Sequence, residues 1–144
     1  MSIYSEVMKF KKKYKGTLAF RLKEHSKVLE KHLNPEEKVL YVFTGQKNRS
    51  SIALPNTFVV ALTNKRLLFA RKRLLFGYFF YAITPDMFND LKVSSGIIWG
   101  KIIIDTVKEL AFISNISKAA LDEIETQITE YMMEEKKKYA LKND

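Results

Sequence analysis

Three regimes of apolar spacing divide the chain. From Ile3, apolar residues recur at steps of three and four through Val7, Phe10, Tyr14, Leu18 and Leu22, and continue with Val28 and Leu29. Lys9, Lys12, Lys13, Lys15, Lys23 and Lys27 fall on the opposite face. This period predicts one long amphipathic helix over residues 2–33. Lys11 and Arg21 intrude on its apolar stripe, where their stems can pack while the charges reach out. Gly16 is a point where the helix can break, since glycine costs about 1 kcal/mol against alanine. Asn34-Pro35-Glu36-Glu37 then supplies a stop and a fresh helix start of at most one turn.

From Val39 the pattern becomes short apolar runs between turn residues. Strands are predicted over 39–44, 57–63, 66–71, 77–83, 88–93, 97–104 and 107–113, with Asp105-Thr106 as the last turn. Seven short strands with no helix between them predict an antiparallel sandwich or barrel. The helical period returns with Ile116, Ala120, Leu121, Ile124, Ile128, Tyr131 and Met132, for which Ser117 is the expected cap. Residues 134–144 form a charged tail expected to fray.

The run from Phe76 to Ile83 breaks the alternation of a half-exposed strand. Phe76, Tyr78 and Phe80 point one way, and Phe79, Tyr81 and Ile83 the other. Something must cover the outer set, and the candidates are the N-terminal helix and a neighbouring subunit. At about 25 cal/mol per Å², covering two or three aromatic rings contributes several kcal/mol.

Four residues, Thr63-Asn64-Lys65-Arg66, separate the strands 58–62 and 67–70 and read as a tight hairpin, Asn64 being tolerant of a left-handed backbone. The wording LTNKRLLF resembles the bacterial pleckstrin-homology (PH) proteins, in particular their YokE-like branch. The same resemblance rests on Glu36-Glu37-Lys38-Val39-Leu40, on SSGIIWGKIII (94–104) and on FISNISKAALDEI (112–124). It implies an α+β, mainly β fold: a PH-like seven-stranded antiparallel barrel or sandwich over residues 34–133, capped by a C-terminal helix. Residues 1–33 are an N-terminal helix outside that pattern.

Composition narrows the classes of function. A chain of 144 residues forms one domain, and 47% hydrophobic content is that of a globular protein. With no cysteine there are no disulfides or thiolate sites, and a cytoplasmic location is the default. No apolar run reaches the roughly 18 residues of a membrane span, and no signal peptide is expected. The net charge is +9; residues 1–33 hold nine Lys/Arg against three Glu, so most of the excess lies there.

Catalytic ingredients are sparse. His25 and His32 stand seven apart on one helix, about 10 Å along its axis, and read as surface residues rather than as metal ligands. Neither Ser50-Ser51 nor Ser94-Ser95 has a nucleophile elbow, no glycine pair forms a phosphate loop, and Asp86, Asp90 and Asp105 each sit beside a turn. No enzyme activity, metal or cofactor is expected.

Binding is better supported. The leading expectation is a protein–protein module, self-associating as a homo-oligomer or meeting another protein, through Phe10, Tyr14, Leu18, Phe79, Tyr81 and Ile83. The alternative is an anionic lipid headgroup or peripheral membrane contact. In a PH-like barrel the loops carrying Lys47 and Arg49, and Arg71, Lys72 and Arg73, share the open end, and the last turn, with Lys108, is implied to join them. Convergent Arg and Lys donors suit a phosphate. Nucleic-acid binding through Lys9, Lys12 and Lys13 ranks third.

Overall fold

The strands are β1 (Val39–Gln46), β2 (Thr57–Thr63), β3 (Leu67–Lys72), β4 (Tyr78–Ile83), β5 (Phe88–Ser95), β6 (Gly100–Thr106) and β7 (Leu110–Ile116). In the computed structural model, which describes residues 2–142, they lie antiparallel in the order β4-β3-β2-β1-β7-β6-β5. β1 and β7 pair only where Gln46 meets Ser114, so the strands form two sheets hinged at one corner. Gly45 makes that corner possible. A Cβ there would stand 2.6 Å from Ile113 Cγ2 and 2.9 Å from the Ser114 carbonyl oxygen.

Between the sheets lie Phe43, Val60, Leu62, Leu67 and Phe69 from one side and Phe88, Ile102, Ile104 and Ile113 from the other. Helix α3 (Leu121–Lys142) closes this core with Ile124, Ile128 and Met132. A second apolar cluster covers the outer face of the first sheet. There Val42, Val59, Ala61, Leu68 and Ala70 meet Ile3 and Val7 of α1 (Ile3–Lys13) and Leu22, Val28 and Leu29 of α2 (Leu22–His32). Phe80 and Ala82 join this outer layer, whereas Tyr81 and Ile83 face the inner core. The cover that the two-sided strand pattern demands therefore comes from the same chain. It is needed most by β2, all seven of whose residues are buried.

The predicted single N-terminal helix is two helices. Although the apolar period runs on in phase, the stretch from Tyr14 to Arg21 finds better partners in the corner between the sheets. Leu18 N–H donates to the Asn115 carbonyl (2.8 Å), Gln46 Nε2 donates to the Leu18 carbonyl (2.8 Å), and Ser117 N–H donates to the buried Thr17 hydroxyl (3.0 Å). Lys11, an intruder on the apolar stripe, closes α1 by donating to the carbonyls of Lys15 and Thr17. The break lets α1 lie on β1 and α2 on β3.

Three smaller expectations also change. Ser117 heads a short 3₁₀ turn, Lys118–Ala120, without a side-chain cap, and α3 begins after it. In place of an irregular tail from residue 134, α3 runs on to Lys142, and Lys136 Nζ reaches the Phe88 carbonyl (2.5 Å); the tail's last two positions, 143–144, lie outside the described residues. The last turn is 107–109 rather than Asp105-Thr106, because the Thr106 hydroxyl gathers the N–H groups of Lys108 and Glu109.

The signature hairpin works through side chains. Asn64 is not left-handed; its Oδ1 accepts from Lys38 N–H (2.8 Å) and its own N–H donates to the Lys38 carbonyl (2.9 Å). The Thr63 hydroxyl accepts from the N–H groups of Lys65 and Arg66 and donates to Glu37 Oε2 (2.6 Å). Arg66 grips both Glu37 oxygens, at 2.9 and 3.0 Å, and the last carbonyl of α2, His32, at 2.9 Å. Burial alone would raise the Glu37 carboxyl. Arg66, the Thr63 hydroxyl and the Asn34 N–H outweigh it and hold the group below the usual carboxylate range.

Candidate functional site

The sandwich is open where β1 hands over to β2 and β3 to β4. Two loops, 47–56 and 73–77, and the end of the α1–α2 linker meet there. Phe20 N–H donates to the Thr57 hydroxyl (3.2 Å), Arg71 Nη1 to the Thr57 carbonyl (3.2 Å) and Arg21 Nη1 to the Lys72 carbonyl (3.0 Å). In the loop 73–77, Arg73 N–H bonds the Gly77 carbonyl (3.1 Å), and Gly77 takes a φ of 74° that favours glycine.

Aromatic rings line the mouth and cations sit upon them. Phe58 lies 6.5 Å from Phe79 and 6.0 Å from Tyr81, centroid to centroid. Lys47 Nζ stands 5.0 Å above the Tyr81 ring, the Arg73 guanidinium 5.5 Å above Phe79 and the Arg49 guanidinium 4.7 Å above Phe112. Burial, with Arg21 close by, pushes the Arg71 guanidinium down from its ordinary value, a shift that an anion beside it would oppose.

Beyond the mouth the loop tips are bare hydrocarbon. Ile52 and Leu54 on one loop, and Leu74, Leu75 and Phe76 on the other, are each 74–92% exposed. The segments 47–56 and 71–78 hold five cations (Lys47, Arg49, Arg71, Lys72, Arg73) and no carboxylate. A groove of about 480 Å³ runs between Arg71, Arg73, Leu74, Leu75, Phe76 and Phe79.

The match that decides the family spans most of the chain: a family model, the bacterial PH domain, fits residues 33–130. The chain belongs to the bacterial PH domain family. Among solved structures it is similar to the crystal structure of a pleckstrin homology domain from Shewanella amazonensis SB2B. The two share 13% identity at a TM-score of 0.50, over 75% of this chain and 85% of that one, and thus share a fold. No curated protein matches the sequence. The family match does not single out the YokE-like branch.

PH domains are in general interaction modules for proteins or lipids. In this one, Lys47, Arg49, Arg71 and Arg73 of the six expected anion-binding cations gather at the open end, while Lys72, beside them in sequence, lines a pocket against α2. Lys108 does not join them: its neighbour Val107 donates to the Met87 carbonyl, beside the β4–β5 connection at the far end of β4. Of the expected interface residues, Phe10 and Ile83 are buried in the chain's own core, and Tyr14 and Tyr81 are packed against it. Leu18 is half-buried in the linker, and Phe79 stays half exposed at the mouth. Phe10 and Tyr14 are taken up because α1 packs on its own β1, and Tyr81 and Ile83 because they face the core between the sheets. Of the three lysines considered for nucleic acid, Lys13 is tied to Glu123 (2.6 Å) and Lys9 to Glu6 (3.1 Å).

The histidines do share a face of α2, but it is the face laid on β3 and β4 rather than a solvent surface. His25 is fully buried, and its Nδ1 accepts from Lys72 N–H (2.8 Å). His32 stacks on Phe80 at 4.1 Å; its Nδ1 donates to the Val28 carbonyl (2.7 Å), which leaves Nε2 to accept from the Tyr78 hydroxyl (3.2 Å). Among the described residues no three His, Asp or Glu side chains are grouped to hold a metal ion, and no helix is long and apolar enough to cross a membrane. Sequence reasoning missed the apolar tips. The signal was Leu74-Leu75-Phe76 directly after Arg71-Lys72-Arg73: Phe76 was read with the following strand, and Leu74 and Leu75 fell between the predicted strands.

Proposed function

We propose that this PH domain is a non-catalytic binding module whose open end docks on an anionic lipid surface. One observation carries the reading: five bare apolar side chains at two neighbouring loop tips, accompanied by Lys47, Arg49, Arg71 and Arg73, with no carboxylate in either loop segment. Water disfavours such tips, while a bilayer interface accepts both the hydrocarbon and, one layer out, the charge. Each cation near an anionic leaflet contributes about 1 kcal/mol, and a fully buried Leu or Phe about 1.5–3 kcal/mol. The lipid alternative therefore moves ahead of the protein-contact reading, most of whose expected residues pack inside the chain.

The test is vesicle sedimentation. The full chain should bind phosphatidylcholine vesicles carrying phosphatidylserine, with affinity falling as salt rises. Leu75→Asp with Phe76→Asp should abolish binding, and Arg71→Ala with Arg73→Ala should weaken it. Failure to bind acidic vesicles at low salt, or indifference to Leu75→Asp with Phe76→Asp, would overturn the proposal. A second reading, contact with a protein, is favoured by another bare tip, Ile97 and Ile98 in the β5–β6 turn, at 96% and 68% exposure. Self-association through it would appear in the native mass by light scattering and vanish in Ile97→Asp.

A further inference from the structure

A separate pocket of about 280 Å³ lies outside the sandwich, between α2 and the start of β4. Lys27 and Lys31, one helical turn apart on α2, face it together with Lys72 from the end of β3. Glu24, Val28, His32 and Tyr78 complete the lining. Its walls are held rigidly. The Val28 carbonyl orients the His32 ring, which in turn receives the Tyr78 hydroxyl. Lys72 is fixed through its main chain: its N–H is taken by His25 and its carbonyl by Arg21. Arg21 does this from a left-handed backbone (φ 54°), which costs a non-glycine residue about 1–2 kcal/mol and persists only where the surroundings enforce it.

We propose that this pocket binds a phosphate monoester. Three lysines against the one glutamate, Glu24, give the lining a formal charge of two positive units, which match the roughly −1.5 to −2 of a monoester near neutral pH. A phosphodiester, with one negative charge, leaves one cation uncompensated. The volume falls just below the about 300–1,000 Å³ of sites for drug-sized ligands, so the site suits a phosphate with a short alcohol stub rather than a whole nucleotide. Most of the lining belongs to α2, which precedes the part of the chain that matches the PH family, so this site is distinct from the mouth of the sandwich. The ester has two sources, a lipid headgroup such as phosphatidic acid or a soluble metabolite, with the same chemistry at the pocket.

The experiment uses the full chain. Inorganic phosphate and glycerol 3-phosphate are titrated against it at constant ionic strength, and backbone amide resonances are followed by NMR. Saturable shifts are expected at Lys31, His32, Lys72 and Tyr78. Lys27→Gln with Lys31→Gln removes two solvent-facing donors while the rest of the spectrum stays in place, and should weaken binding at least about tenfold. Vesicles then separate the sources. Tighter binding to phosphatidic acid than to phosphatidylglycerol at matched surface charge, lost in the lysine variant, assigns the headgroup. No such preference, with glycerol 3-phosphate still bound, assigns a soluble ester. Absence of saturable shifts at these amides, or unchanged affinity in the lysine variant, overturns the proposal. Leu75→Asp with Phe76→Asp should leave the phosphate titration in free solution untouched, since no surface is then seated on the loops, so a failure of the docking loops does not count against this site.

Discussion

Removing Arg66 tests how the family's hairpin signature holds the fold. The Glu37 side chain is wholly buried, and Arg66, itself 19% exposed at the side chain, supplies two of its hydrogen bonds and a third to the end of α2. Breaking a buried pair from one side costs about 3–5 kcal/mol, because the orphaned charge stays behind. Arg66→Ala should fall at the lower end, about 3 kcal/mol, since the cavity left at its exposed edge admits water. For a chain of this length that corresponds to roughly a 10 °C fall in Tm by circular dichroism. Glu37→Leu with Arg66→Leu should recover most of the loss. Acid supplies a sharper criterion. In the parent, Glu37 titrates below the unfolded value of about 4.3, so its contribution is present above that pH and lost as pH falls through the lower folded value. In Arg66→Ala burial dominates and the folded value rises above the unfolded one, so protonation favours the folded state. The stability gap between parent and variant should therefore narrow between pH 7 and pH 4. A gap that widens on acidification, or an Arg66→Ala protein within 1 kcal/mol of the parent, would refute the reasoning.

Two further outcomes are expected. Burial, assisted by the charges of Arg71 and Arg21, lowers His25 to about 4 from an ordinary value near 6.5. Its contribution is thus complete above pH 6.5 and declines as pH falls towards 4, by an amount on the order of 3 kcal/mol; urea titrations should show this slope and its loss in His25→Gln. Deleting residues 1–33 strips the cover from Val42, Val59, Ala61, Leu68 and Ala70, so the remainder should aggregate, and a monodisperse mass by light scattering would contradict the layered core.

The parts of the fold that could be read in advance are those where local chemistry and tertiary structure agree. β1 to β5 fall within two residues of their predicted bounds, because short apolar runs there stand between strong turn residues. The break between α1 and α2 was hidden because Leu18 and Leu22 keep the helical phase, and the groups that compete for that backbone, Asn115 and Ser117, are about a hundred residues away. Lys108 was misplaced for a related reason. A three-residue shift of the last hairpin, set by the Thr106 hydroxyl, carries it beside Met87. The cations of the open end were legible, since loop position alone brings them together. The α2 pocket was not, because Lys31 and Lys72 become neighbours only when α2 lies down on β3.

Lys72 belongs to two surfaces at once: it lines the recess beside α2, and its peptide group, pinned by Arg21 and His25, is the root of the greasy finger formed by residues 73–77. Linkage is reciprocal, so whatever factor an occupied recess adds to the grip of that finger, a seated finger returns to the recess. Neither contact need be strong alone; joined through one residue, they would let the molecule report the coincidence of two signals rather than the presence of either.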